Sequence, residues 1–436
     1  MRTEGYSPAL VGKIEYAGGQ CPFGQAAAML GRLSGLSISG MHVQRITERL
    51  GRERAAERDR QVEQFQAGGL SAAHVEPPAV VAVHVDAGKT QVRGDDGGRG
   101  VHDPQWADTK VACLETYAPK LDDIDPQPEP PEAFLDRPTV MRLCQEIKQV
   151  RNDSSTRPTE KPPPAKAKEK QKAKVNTKVR TKTKAKEKNK QKEQAGRPQE
   201  SAVEHVGRQT RRRRLLRTAV ATMQSVIGFA AMVGAEAQRR GFYRATCGAF
   251  VGDGGNWIGP LGEAQFPGWA QVLDFIHLLV HLYQAACAAY PGRAELAWRL
   301  YERLVRAAWA GQAQTVLELL REQSARIGLP PAEARPDDPR KIVAGALVYV
   351  GQNAGRMDYS RYRRLGLPVT SAAVESLVKQ FNQRIKGSEK FWLDGGVEAV
   401  LQVRAAYLSE DGRADDFHAR RPRGHAVGQN RLPAAA

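Results

Sequence analysis

The stretch Ala79-Val80-Val81-Ala82-Val83-His84-Val85-Asp86-Ala87-Gly88-Lys89 decides how the chain is read. Its β-branched and small apolar residues describe a strand buried on both faces, as in a sheet covered by helices on either side. Ala87-Gly88-Lys89 predicts a tight turn into Thr90-Gln91-Val92-Arg93, so that Asp86 falls where a hairpin opens. A carboxylate at the end of a buried strand, with no cation before Lys89, needs a partner, and a metal ion serves better than solvent. A turn aspartate capping the hairpin accounts for the same residue.

Downstream, Thr109–Tyr117 is the next expected strand, followed by Pro-rich sequence around residues 125–131 and a helix over Thr139–Arg151. After a basic cluster at Arg211–Arg214 the pattern gives a strand, a helix over Gln224–Arg240, and a strand over Ala245–Val251 that runs to Asp253. A short helix (Asn256–Gln265), a strand (Gln271–Asp274) and a helix (Phe275–Tyr290) follow. Apolar i, i+3/i+4 periodicity then marks further helices over Ala294–Ile327 and Pro339–Asn353. This order predicts an α/β fold: a ribonuclease H-like core with an all-helical insertion before a last, acid-bearing helix. Upstream, Gln25–Gly51 reads as two short helices broken at Ser39-Gly40. They form either a helix-turn-helix or a helical pair that packs on the next domain, and Gly51–Val75 is a helix or a linker. The expected divisions are 1–75 (small N-terminal helical region), 76–156 and 201–280 (core), 157–200 (Lys-rich insertion), 281–366 (helical insertion) and 367–436 (last helix and C-terminal region).

The 436 residues leave room for two or three domains. The net charge of +18 is uneven: between Lys161 and Lys192 there are 14 Lys or Arg against 2 Glu, so this one segment supplies +12. Residues 157–198 contain no aromatic side chain and only two large aliphatics, Val175 and Val179, which predicts disorder. Such a tract is a salt-sensitive phosphate-binding tether or a tolerated solvated insertion. The five cysteines are scattered without a C-x-x-C pair, which supports neither a disulfide framework nor a zinc knuckle and suits a reducing, cytoplasmic setting. No secretory leader is visible, and the longest apolar stretches are too polar to span a bilayer.

Two more acids stand out. Asp253 lies in Gly252-Asp253-Gly254-Gly255-Asn256-Trp257, where glycines permit close approach of backbone and ligand, and no phosphate-loop pattern is present. Glu375 lies on an expected helix whose core stripe is Val374, Leu377, Val378, Phe381 and Ile385, with Lys379, Asn382 and Lys386 following Glu375 at helical spacing. A metal-binding glutamate flanked by phosphate-gripping lysines explains that face, and so does a surface Glu–Lys pair. Three carboxylates brought together can hold two Mg²⁺ ions about 3.5–4 Å apart for in-line attack on a phosphodiester. His277 and His281 lie four apart without the glutamate of a zinc-protease motif; His277, three residues after Asp274, either faces the acids or is a core histidine.

In order along the chain, V-D-A-G-K-x-Q-V-R, G-D-G-G-N-W-I, V-L-D-F-I-H-L-L-V-H-L, S-A-A-V-E-S-L-V-K-Q, I-K-G-S-E-K-F-W and L-Q-V-R-A-A-Y-L-S-E-D-G-R resemble the DDE transposases of bacterial insertion sequences of the ISKra type, allied to the Mutator-like group. The resemblance runs from about Gly24 to Asn430, apart from the Lys-rich stretch. It implies a ribonuclease H-like core with Asp86, Asp253 and Glu375 as catalytic, metal-binding triad. Asp274-x-x-His277 stands where Mutator-like relatives carry a C/D-x-x-H element, in support of the triad. It further implies two Mg²⁺ ions, with Mn²⁺ as a substitute, DNA ends and target DNA as partners, a homo-oligomer on DNA, no membrane, and a place in the cytoplasm at the nucleoid. Lys379, Arg384 and Lys386 would hold DNA phosphates, and the N-terminal helices would read sequence. Three features depart from the pattern: little chain precedes the helical pair, Val280 stands where an acid is usual, and the Lys-rich stretch is an insertion. A truncated or repurposed copy that binds DNA without cutting it is the alternative; a purely electrostatic nucleic-acid binder driven by the Lys tract is a third.

Overall fold

The computed structural model describes residues 6–73, 76–93, 105–154, 213–387 and 390–421. The Lys-rich insertion expected over 157–200 lies outside the described residues, as does the end of the chain after Arg421. Helices α1 (Pro8–Gln20), α2 (Phe23–Ser34) and α3 (Gly40–Gln66) precede two long strands, β1 (Val80–Val92) and β2 (Gln105–Tyr117). Next come α4 (Glu132–Leu135), α5 (Arg137–Ser154), β3 (Arg214–Thr222), α6 (Val226–Arg239), β4 (Cys247–Gly252), α7 (Ile258–Gln265) and β5 (Ala270–Leu273). The helical segment that follows contains α8 (Phe275–Ala289), α9 (Ala294–Trp309), α10 (Ala313–Ile327), α11 (Pro339–Asn353) and α12 (Tyr359–Arg364). It leads to α13 (Ala372–Ile385), α14 (Asp394–Leu408) and α15 (Arg413–Ala419).

The five strands form one mixed sheet in the order β3-β2-β1-β4-β5, with β2 antiparallel to all the others. The turn expected at Ala87-Gly88-Lys89 is not there. These residues pair with Lys110, Thr109 and Asp108, and the β1–β2 ladder runs unbroken from Val80 opposite Tyr117 to Val92 opposite Gln105. Continued pairing satisfies backbone groups that a turn would leave open, and Lys89 is ion-paired with Asp108 at 2.5 Å. Asp86 is therefore a mid-strand residue and not a hairpin corner.

Alternation along β1 sorts the core. Val81, Val83 and Val85, with Phe250 of β4, pack under α6 and α7 through Phe229, Met232, Ile258 and Leu261. On the opposite face, Val80, Ala82, Val251 and Val272 lie beneath α5 and α8, while Val111, Cys113, Ala219 and Ala221 lie beneath α13 and α14. The helical stretch expected over Ala294–Ile327 consists of α9 and α10, which part where Gly311, at φ 80°, reverses the chain. The outer edge of β5 is covered: the carbonyls of Gln271, Val272 and Leu273 accept hydrogen bonds from Tyr362 Oη (3.0 Å), Arg356 Nη2 (3.3 Å) and Tyr359 Oη (2.9 Å). A free edge that would invite strand addition is thus closed by side chains. Among the described residues no helix is long and apolar enough to cross a membrane.

The N-terminal helices pack on the rest of the chain. A Cβ on Gly51 of α3 would come within 2.2 Å of the Ala399 carbonyl oxygen, so α3 and α14 touch main chain to main chain. Phe417 of α15 completes the apolar core of α1–α3. Glu15 of α1, 0 % exposed, binds the Arg54 guanidinium at 2.8 and 2.9 Å and His418 Nε2 at 2.7 Å. Burial alone would raise its carboxyl; the hydrogen bonds and charges of Arg54 and His418 outweigh it and hold the group at about 2. Its stabilising effect is present above the unfolded carboxyl value near 4.5 and is lost as pH falls toward about 2. Urea unfolding of wild type and Glu15→Gln between pH 6 and pH 2 should show an advantage of roughly 3 kcal/mol for wild type that disappears over that window. A constant difference across the range would contradict the clamp.

Candidate functional site

Two parallel registers bring three acids to one edge of the sheet. β1 and β4 pair from Val80 opposite Cys247 to His84 opposite Val251, and β4 and β5 from Ala249 opposite Ala270 to Gly252 opposite Leu273. Continued past the last bonded pairs, these registers set Asp86 level with Asp253 and Asp253 level with Asp274. Adjacent strands lie about 4.8 Å apart, so spacing alone crowds carboxylates at the carboxyl ends of the parallel strands.

Each acid is fixed locally. Asp86 Oδ1 accepts the Ala87 N–H at 2.7 Å. Asp253 Oδ1 accepts the Gly255 N–H at 2.9 Å, and the Asp253 carbonyl accepts Tyr349 Oη of α11 at 2.7 Å. Gly254 has φ 83°, and a Cβ there would meet Leu273 and Tyr349 at 3.0 Å, so glycine serves both the conformation and the contact. Glu375 enters from α13, whose buried stripe of Val374, Leu377, Phe381 and Ile385 follows the expected one. Its side chain is 13 % exposed, and its Oε1 accepts Ser371 Oγ at 3.0 Å.

Asp274 and His277 form a distinct unit beside these acids. Asp274 is fully buried and caps α8: its Oδ2 accepts the His277 N–H at 2.9 Å and lies 2.6 Å from His277 Nδ1, while its Oδ1 accepts the Ser371 N–H at 2.7 Å. His277 Nδ1 is 4.0 Å from Glu375 Oε1. Burial disfavours the imidazolium, but the Asp274 hydrogen bond and charge, with the charges of Asp253 and Glu375, push His277 up to about 10. The Asp274 carboxyl is held low; burial opposes this and the His277 contact prevails.

The electrostatics show which acids face one another. Asp86 is pushed up to about 8, first by burial and then by the charges of Asp253 and Glu375, with His277 opposing. Glu375 is likewise raised by burial, with Asp274 adding to it and His277 and Lys379 opposing. Asp86 thus feels the charges of Asp253, Glu375 and His277, and Glu375 those of His277, Asp274 and Lys379.

Oxygen-rich, under-compensated anions are the donor set a hard divalent cation takes. Asp274, His277 and Glu375 have ligand atoms within 4.8 Å of one another. Among the described residues this is the group whose ligand atoms lie close enough to share an ion, and Asp86 and Asp253 are not part of it. Asp274 also accepts two backbone N–H groups, from His277 and from Ser371.

Of the cations expected to hold phosphate, Lys379 is half-buried and close enough to Glu375 to draw its carboxyl down, and Lys386 is half-buried at the end of α13. Arg384 is a correction. It is 2 % exposed, its Nε donates to the Gly18 carbonyl at 2.9 Å, and it stacks on Phe23 and Trp392 at 4.6 and 5.1 Å. Arg384 sits between the stripe of α13 and α1, where it fastens the N-terminal helices and presents no face to DNA. His281 stacks on Tyr349 at 3.9 Å and so supports the residue that holds the Asp253 carbonyl. Sequence reasoning missed Ser371 and Tyr349. Ser371 carried a readable sign, four residues before an acid at a helix start, whereas nothing in the sequence ties Tyr349 to Asp253. No protein-family model matches the chain, and no curated protein matches it.

Proposed function

We propose that the protein is a divalent-metal-dependent DNA-cutting and DNA-joining enzyme, a DDE-type transposase on a ribonuclease H-like core, with Asp86, Asp253 and Glu375 as its metal-binding acids. The convergence of these three carboxyls carries the reading. They come from β1, the end of β4 and the start of α13, separated by the helical segment, and Asp86, pushed up to about 8 first by burial, also feels the charges of Asp253 and Glu375. The strand order, with β2 alone reversed and an acid-bearing helix laid over β1 and β2, supports the ribonuclease H-like core.

Two Mg²⁺ or Mn²⁺ ions bound there would supply activation of water and of a DNA 3′-hydroxyl and neutralise charge on the phosphodiester. The chain's own part is arrangement. The Gly254 turn and the Tyr349 hydroxyl hold Asp253, and β1 holds Asp86 by its ladder. Asp274 holds the His277 ring beside Glu375. A homo-oligomer assembled on DNA ends, at the nucleoid, belongs to the same proposal. Incubating the chain with DNA carrying the element's ends, with Mg²⁺ or with chelator, tests it: metal-dependent nicks are expected, and their absence would sink the reading.

Lys379, one turn after Glu375 on α13, and Lys386, just past the end of that helix, are proposed to contact backbone phosphates, which positions DNA without reading sequence. Lys379→Ala and Lys386→Ala should each weaken DNA binding for all sequences alike and lower the salt slope by about one unit. Folding stability should drop by about 0.5 kcal/mol or less, since neither belongs to the buried stripe. Unchanged slopes in a salt titration would remove this helix from the DNA interface.

A further inference from the structure

Ser371 precedes α13 at the position where a serine ordinarily accepts a hydrogen bond from an N–H of the first helical turn. It makes no such bond. Its Oγ instead donates to Glu375 Oε1 at 3.0 Å, and its backbone N–H donates to Asp274 Oδ1 at 2.7 Å. Two residues before Ser371, the Val369 carbonyl accepts the Phe275 N–H at 3.0 Å. The two ends of the helical segment that begins at Phe275 are therefore fastened to each other directly beneath Glu375. Ser371 is 2 % exposed, which keeps water from replacing either bond.

The usual capping contact is forgone here in favour of a bond to an acid. A carboxylate on a flexible stem has several rotamers, and a ligand is effective only in one of them. A hydroxyl donor fixed by its own backbone bond to Asp274 selects one. We infer that Ser371 is a positioning residue that holds the Glu375 carboxylate in one orientation at the proposed metal site and ties that orientation to the base of the helical segment. This rests on the proposed metal site.

The test is Mn²⁺ binding to the full chain without DNA, followed by loss of the free-ion paramagnetic resonance signal, beside thermal unfolding. Ser371→Ala should weaken Mn²⁺ binding about 10–100-fold, the loss typical when a group orienting a metal ligand is removed, with unfolding little changed. Ser371→Thr, which keeps the hydroxyl, should bind nearly as wild type. In a Glu375→Gln background, Ser371→Ala should change affinity less than about twofold, because its effect runs through that carboxylate. Wild-type affinity in Ser371→Ala, or an equal loss in both backgrounds, would overturn the inference. So would a Ser371→Ala chain that fails to fold, since the hydroxyl would then be a support of the fold. Wild type binding Mn²⁺ no more tightly than Asp253→Asn would instead sink the metal site itself, a result distinguishable from failure of Ser371 alone.

Discussion

Asp253→Asn should reduce Mg²⁺-dependent strand cleavage by on the order of 1,000-fold, about 4 kcal/mol of transition-state stabilisation, while leaving DNA binding near wild type. The substitution suits the site because it separates shape from charge. The Asp253 Oδ1 that accepts the Gly255 N–H has an equivalent in the asparagine amide oxygen, and the Tyr349 bond goes to the main-chain carbonyl, which does not change. The Gly254 turn should therefore persist. What is lost is an anion, and a neutral amide is a poor ligand for a hard divalent ion. DNA binding depends on cations that the substitution does not touch. A variant that cuts at the wild-type rate would show that Asp253 is a turn residue and that the acids at this edge serve another purpose.

Much of this site was legible because parallel strands convert local sequence into spatial register. A buried apolar run ending near an acid occurs at Val80–Asp86 and again at Ala249–Asp253, and parallel pairing sets such ends side by side. The helix of Glu375 was legible from its stripe of apolar residues. Arg384 was misjudged because helical periodicity places it beside Lys379 and Lys386 in character but not in burial: it sits one residue before Ile385 and is covered by Phe23 and Trp392, both distant in sequence. The expected turn after Asp86 failed for a similar reason, since the partner strand that extends the ladder is supplied by residues 105–111. Ala-Gly-Lys is compatible with a turn and with a strand, and the tertiary partner decides. Tyr349 reaches Asp253 across 96 positions of sequence, a contact fixed by how α11 packs on α8 and not by anything local.

Crowded carboxylates should also make the site a weak point of the fold. Asp86 has an ordinary carboxyl value of 3.8 and is pushed up to about 8 by burial and by Asp253 and Glu375. Between those values the folded chain holds a proton that the unfolded chain releases, so the Asp86 contribution to stability falls as pH rises from about 4 to about 8 and levels off above. Asp86→Asn keeps an oxygen for the Ala87 N–H and removes the charge. In the presence of chelator, the variant should match wild type within error near pH 4 and exceed it by roughly 2–4 kcal/mol at pH 8. Water entry and relaxation of neighbouring groups keep the figure below the full Coulombic cost. His277, raised from its ordinary 6.5 to about 10, keeps in the folded chain a proton that the unfolded chain releases above about pH 6.5, so it lowers the stability of both chains from there upward, an effect shared by wild type and variant. Mg²⁺ should narrow the gap by stabilising wild type more than the variant, as any ligand of the folded state does. Urea unfolding of both chains at several pH values, with and without Mg²⁺, measures each part. A gap that does not widen between pH 4 and pH 8 would mean that the three carboxyls do not face one another, and the metal site would lose its physical basis along with its predicted instability.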